Sequence, residues 1–438
     1  MDQHLRNDQL SEALEAAEAE YSARTPNSAA WQERASGGLP GGNTRTVLHF
    51  TPYPLRFMGG KDQWVTDADG LHYLDYLGEY SAGLYGHSSA PIMAAAQQAI
   101  ADGTVLGGPN TYEVELAELM CARFPSLELV RFTNSGTEAN LMALAAARAH
   151  TGRDKVLVFD GGYHGGVLYM ADYATRSNAP FDFVTGTYND LDVTMAAAEG
   201  DEGEIAAILI EPMMGGGGAI VADTAFLAGL KAYAERHDIV LIFDEVMTSR
   251  NGAGGHQGET GVTPHMSTFG KYLGGGFSFG AFGGQREIMR RFDPYDPNAL
   301  PHAGTFNNNV TSMAAGLTGL REIYTPERAV AHTERGNRLR AELNAAIARH
   351  GLAAQVTGAG TIMCFHFHNQ EVRTPEQTKL TRPEAYALFH LEMLKRGLYF
   401  ARRGYMSLSL ELTDEDDAAL LTAFDEVLDQ FGAVLCPQ

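Results

Sequence analysis

Between about residue 90 and residue 330 the chain alternates Ala-rich helical stretches with brief apolar runs, and this alternation constrains the fold most tightly. The runs 129–133, 155–159, 206–210 and 239–243 are too short for helices and rich in β-branched or apolar side chains. Each follows a helical stretch, which predicts an α/β fold with a mainly parallel sheet covered on both faces. In such sheets ligands sit beyond the carboxyl ends of the strands. The polar motifs of this sequence follow those ends.

The flanks differ in character. Leu10, Ala13, Leu14, Ala17 and Tyr21 recur at helical spacing, and Arg24-Thr25-Pro26 breaks that pattern. The crossing Gly37-Gly38-Leu39-Pro40-Gly41-Gly42-Asn43 cannot hold a helix. Residues 63–76 read as a hairpin turning at Asp69-Gly70. Beyond residue 330 come a charged helix (335–350), short alternating runs (361–367 and 406–411) and helices over 383–396 and 414–431. The expected division is an N-terminal segment 1–75 packed with the small domain, a large domain 76–330, and a small α+β domain 331–438.

Composition narrows the partners. The 438 residues carry 54 acidic against 32 basic side chains, a formal charge of -22, which disfavours nucleic acid and anionic membranes. No apolar run is long enough to span a bilayer, and the polar N-terminus is unlike a secretory or transit signal. The cysteines Cys121, Cys364 and Cys436 show no metal-ligand spacing, so no metal is expected and a reducing, cytoplasmic setting is.

Four motifs at strand ends carry chemistry. The string Thr133-Asn134-Ser135-Gly136-Thr137-Glu138-Ala139-Asn140 enters a helix, and small residues at such a turn offer backbone N–H groups, hydroxyls and a helix N-terminus to a phosphate. Read alone, it equally satisfies a helix cap with a capping box. Asp160-Gly161-Gly162-Tyr163-His164-Gly165-Gly166 can bring Tyr163 close to a planar ligand, or be a glycine-rich turn with an incidental tyrosine. Asp244 ends a strongly apolar run, where a buried charge needs a partner. A cationic ring nitrogen is one candidate and Mg²⁺ another. Neither a G-x-x-x-x-G-K-[ST] nor a G-x-G-x-x-G string follows a strand, which weakens nucleotide and dinucleotide readings. Lys271, within Thr268-Phe269-Gly270-Lys271-Tyr272-Leu273-Gly274-Gly275-Gly276, sits in a desolvating environment that suits a Schiff-base nucleophile.

Together these parts match what pyridoxal 5'-phosphate requires: a phosphate cradle, a ring stacker, a carboxylate for the pyridine nitrogen and a shielded lysine. Their order and spacing resemble the class III aminotransferases of pyridoxal phosphate fold type I, from about Leu39 to the C-terminus. The resemblance implies a seven-stranded, mainly parallel sheet in the large domain and a smaller α+β domain. It implies Ser135, Gly136 and Thr137 as the phosphate loop, Tyr163 as the stacker, Val246 on the other ring face, Asp244 as the pyridinium partner and Lys271 as the Schiff-base lysine. It adds His164 and Glu211 to the cofactor contacts. Thr305, in Gly304-Thr305-Phe306, matches the position that reaches a neighbouring subunit's phosphate site, which implies a homodimer with shared active sites.

Two subgroups compete. Glutamate-1-semialdehyde aminomutases share Pro40-Gly41-Gly42 and the Asn-Ser-Gly-Thr-Glu-Ala string. The β-phenylalanine aminotransferase group is more similar over Asn43–Leu48, Pro52–Leu55, Glu79–His87, Met247-Thr248-Ser249-Arg250 and Gly304–Asn309. This second likeness implies transfer of the amino group of an aromatic β-amino acid to 2-oxoglutarate through pyridoxamine phosphate. Arg45 and Arg403 are then the two candidate carboxylate ligands, since a guanidinium fork matches a carboxylate; read apart from their motifs, either is equally a surface or interdomain salt-bridge arginine. Tyr80, with Tyr85 and Phe57, is a candidate wall for an aromatic substituent. Many relatives carry a glutamate soon after Glu211-Pro212, but here Met213-Met214-Gly215-Gly216 follows, and an unshielded arginine favours carboxylate-bearing substrates. The alternatives are an aminomutase-like isomerase or a cofactor-binding protein without turnover, the latter disfavoured by the presence of both Lys271 and Asp244.

Overall fold

The computed structural model describes residues Gln3–Cys436. A seven-stranded sheet forms the centre, in the order Leu129–Thr133, Gly280–Gly284, Met266–Gly270, Val240–Asp244, Ile205–Ile210, Lys155–Phe159, Phe183–Gly186. Every pairing is parallel except those of Gly280–Gly284, which runs antiparallel to both neighbours. Side chains alternate between two cores. Val156, Val158, Ala207, Leu209, Val240 and Ile242 meet the helix Gly136–Thr151, while Leu157, Phe159, Ile208, Ile210, Leu241 and Phe243 meet Thr224–Arg236. Burial on both faces explains why these strands read as continuous apolar runs.

All four expected strands are present, two of them shifted by one residue at one or both ends. Three strands went unanticipated, and their composition explains why. Gly280–Gly284 reads GAFGG, yet a Cβ on Gly280 would stand 2.2 Å from the Ser135 carbonyl oxygen and one on Gly283 2.4 Å from that of Leu129. Close approach of the Leu129–Thr133 strand demands glycines that weaken the strand pattern. Met266–Gly270 is polar and glycine-ended, and Phe183–Gly186 is a four-residue edge strand.

The flanks build a second body of structure. The hairpin Trp64–Asp67 and His72–Asp75 forms as expected, joined by Phe57–Lys61 on one side and Leu398–Tyr399 on the other. Gln355–Ala359, Ile362–His366 and Tyr405–Ser407 make a three-stranded antiparallel sheet. The N-terminal helix Gln3–Arg24 shares one apolar core with Pro383–Lys395 and Asp414–Leu435. Arg24-Thr25-Pro26 does break this helix, but Pro26 at once starts another, Pro26–Ser36, because proline suits a first helical turn. The glycine-rich crossing holds only the short turn Pro40–Gly42, with Gly41 at φ 64°.

Candidate active site

Parallel strands bring their carboxyl ends to one edge, so Thr133, Phe159, Ile210, Asp244 and Gly270 deliver the loops that follow them to a common place. The first loop turns into Gly136–Thr151. Ser135 is its N-cap and accepts from the Glu138 N–H at 3.2 Å, leaving its own hydroxyl proton free to donate. Glu138 reaches the backbone N–H of Asn134 at 2.8 Å, so the capping box expected for Ser135 does not close on it. Gly136 and Gly165 permit close packing: a Cβ on Gly136 would stand 2.8 Å from Val246, and one on Gly165 2.1 Å from the Thr137 hydroxyl.

Asp244 lies buried at the end of its strand. Its Oδ2 is held by His164 Nδ1 at 2.8 Å and accepts from Asn140 Nδ2 at 2.8 Å, while Oδ1 accepts the Val246 N–H at 3.1 Å. Asn140 also donates to the His164 carbonyl and accepts from Thr268 Oγ1, tying three strand ends together. Glu211, equally buried, accepts the N–H groups of Tyr163 (2.9 Å) and Gly215 (3.0 Å). Desolvation dominates its chemistry; it lifts the carboxyl to about 7, with His164 pulling down and Asp244 pushing up. Tyr163 is 45% exposed, edge-on to Tyr169 at 5.2 Å, and its ring is therefore open to a ligand.

Lys271 follows Gly270 with φ 55°, a left-handed conformation that L side chains disfavour. Its amine makes no hydrogen bond or ion pair among the described residues. Desolvation, reinforced by Arg45, lowers its amine to about 8 against the pull of Asp244 and Glu211. An amine of this kind is a nucleophile near neutral pH.

Opposite stand the two arginines. The guanidinium carbons of Arg45 and Arg403 lie 5.7 Å and 5.5 Å from the centroid of the Tyr80 ring, which itself stacks on Tyr405 at 5.4 Å. Tyr80 is fixed by a hydroxyl bond to the Val47 carbonyl at 3.2 Å, and Arg403 Nη1 donates to the Gly216 carbonyl at 3.1 Å. Arg45 pairs with Glu79. The loop Gly215–Gly218 thus bridges Tyr163 and Arg403, since a Cβ on Gly216 would lie 3.2 Å from Tyr163 Cβ.

The model of the class III aminotransferases matches residues 51–428. The chain belongs to this family. It is 44% identical to a β-phenylalanine transaminase of Variovorax paradoxus over 97% of this chain and 98% of that protein. The solved β-phenylalanine aminotransferase from that organism superposes with TM-score 0.96, covering 98% of this chain and 99% of the other. A glutamate-1-semialdehyde 2,1-aminomutase of Dechloromonas aromatica is 37% identical over 90% of this chain and 96% of its own. A transaminase solved with PLP bound is 30% identical at TM-score 0.85, over 94% and 99% of the two chains.

Within this aminotransferase not every anticipated side chain joins the cluster. Thr305 is exposed on a loop anchored by Asn307, which accepts from Asn134, and by Asn308, whose carbonyl accepts from Asn110. It stays outside the cluster of its own chain. Tyr85 is no wall for a substituent: its ring is buried in a core with Tyr272, against Gly319. Phe57 packs edge-on against Tyr399 at 4.9 Å. Sequence reasoning missed two polar partners, Asn140 and Glu79. Helical spacing could have found Asn140, four residues beyond Gly136 on the same face. Nothing local marks Glu79, which meets Arg45 only through the fold.

Proposed function

We propose that the chain transfers the amino group of an aromatic β-amino acid, such as β-phenylalanine, to 2-oxoglutarate, using pyridoxal phosphate. The donor set fits that cofactor. Asp244 is a buried acid held by His164 and Asn140, Lys271 is a buried amine close enough to feel Asp244, and Tyr163 is a half-exposed ring on the loop that carries His164. Ser135, Gly136 and Thr137 would hold the phosphate, Asp244 oriented by His164 and Asn140 the ring nitrogen, and Tyr163 and Val246 the two ring faces. Glu211 would fix the Tyr163 loop through its backbone bonds. When bound, the cofactor supplies an electron sink and a carrier for the amino group.

The chain's own residues do the remaining work. Lys271, with its amine near 8, is available both to bind the cofactor's carbonyl carbon and to move a proton at the reacting carbon. Asp244 would keep the ring nitrogen of the bound cofactor protonated, because a buried carboxylate stabilises a cation beside it. The observation that carries the substrate reading is the arginine pair around Tyr80. Two guanidinium forks near Lys271 suit a donor and an acceptor that each carry a carboxylate, and the 44% identity to a β-phenylalanine transaminase supports the same substrate class.

The exposed Thr305 loop supports a homodimer in which a second copy completes the phosphate site. Among the described residues no helix is long and apolar enough to cross a membrane. The three cysteines are unpaired, which supports a cytoplasmic setting. The test is a half-reaction on the purified holoenzyme without keto acid, following the yellow absorbance. β-Phenylalanine and glutamate should bleach it and 1-phenylethylamine should not. Bleaching by glutamate-1-semialdehyde alone would favour the isomerase instead.

A further inference from the structure

Tyr80 stands on backbone that L-residues avoid. Gly78, Glu79, Tyr80 and Ser81 have φ of 52°, 48°, 53° and 77°. A full turn of the disfavoured hand persists only where its surroundings hold it. Asp75 Oδ1 accepts the Leu77 and Gly78 N–H groups at 2.8 Å and 3.0 Å, and Ser407 Oγ donates to the Leu77 carbonyl at 2.9 Å. The far end is held by Arg250, whose Nη1 donates to the Ser81 carbonyl at 3.3 Å.

Arg250 is an unusual anchor. It is 1% exposed, and its other contacts are the Leu408 carbonyl and His332 Nε2 at 3.3 Å. Among the described residues no carboxylate pairs with it. A desolvated guanidinium without a counter-ion is costly, and an apolar side chain would fill the same space more cheaply. What an apolar residue could not do is hold two backbone carbonyls from separate segments, Ser81 and Leu408, at once. One of them is the last carbonyl of the left-handed turn. The outer face of that turn presents Glu79 to Arg45 and the Tyr80 ring to both Arg45 and Arg403.

We infer that Arg250 is a positioning residue for substrate carboxylates: it locks the Gly78–Ser81 turn so that Glu79 serves as the internal counter-ion of Arg45, which an incoming carboxylate must displace. The exchange replaces one carboxylate by another, so Arg45 is never left bare. This rests on the reading of Arg45 as a carboxylate ligand. Glu79 thereby shields Arg45 alone; Arg403 pairs with no carboxylate among the described residues and so still favours a substrate that carries one.

The experiment measures binding of 3-phenylpropanoate, with 3-phenylpropanamide as uncharged control, to the holoenzyme by titration calorimetry. Glu79→Gln should tighten the carboxylate at least threefold and leave the amide unchanged. In an Arg250→Lys background the gain from Glu79→Gln should fall below half, because the unlocked turn no longer sets residue 79 on Arg45. An equal gain in both backgrounds, or none in either, would overturn the inference. Should Arg250→Lys not fold, Ser407→Ala, which loosens the same turn without removing a buried charge, takes its place in the cycle. Equal binding by wild type and Arg45→Ala would instead sink the carboxylate reading of Arg45, and this inference with it.

Discussion

At the scale of single residues, the site is a small set of charges whose environments pull them from ordinary behaviour. Lys271 is the clearest case: burial and Arg45 hold its amine near 8 rather than 10.5, so its neutral, reactive form dominates above about pH 8. Competitive acetylation of the cofactor-free protein should therefore show Lys271 labelling that rises with pH and levels off just above 8. A rise continuing to about 10.5, as for a solvated lysine, would contradict this. Arg403 gives a second prediction. A hydrogen bond to a charged group is worth about 1.5–3 kcal/mol, so Arg403→Ala should raise the KM for 2-oxoglutarate about tenfold or more while cofactor affinity holds. An unchanged KM would remove Arg403 from the site. Lys271, Asp244 and the Ser135 loop were legible because each sits at a strand end within a distinctive local string. Glu79 and Arg250 were legible only as parts of motifs, since their partners lie 34 and 169 residues away in sequence.

At the scale of elements, close approach sets the site. Gly165 has φ 125°, and any Cβ there would strike Thr137. Gly165→Ala should cost about 1–3 kcal/mol through overpacking, with added backbone strain, and should weaken retention of the cofactor at least tenfold. Equilibrium unfolding together with dialysis of the holoenzyme checks both effects; normal retention would show that Thr137 and the His164 loop need not be apposed. The same physics decided which strands could be read. Apolar strands such as Ile205–Ile210 announce themselves, because every side chain is buried. Gly280–Gly284 does not, because its neighbours press so closely that side chains are excluded. The N-terminal helices followed from apolar spacing, but continuation beyond Pro26 did not, since a proline marks a start as readily as a stop.

At the scale of the whole molecule, the proposed dimer makes its own prediction. Val105 and Leu106 are 76% and 57% exposed, and their loop is tied to that of Thr305 by hydrogen bonds between Asn308 and Gly108 and between Asn110 and Asn308. Large apolar side chains so displayed beside a loop expected to reach a neighbour make this the face that the proposed dimer would cover. Val105→Glu combined with Leu106→Glu should convert dimer to monomer in sedimentation and loosen the cofactor; a dimer that survives intact would place the interface elsewhere. The proposed function is amino transfer from a β-amino acid through Lys271. The most direct test supplies ¹⁵N-labelled β-phenylalanine and 2-oxoglutarate to the wild type and to Lys271→Ala, and follows label in glutamate. The wild type should label glutamate steadily and the variant not beyond background, while still retaining cofactor noncovalently. Label-free glutamate from the wild type, or sustained turnover by the variant, would contradict it.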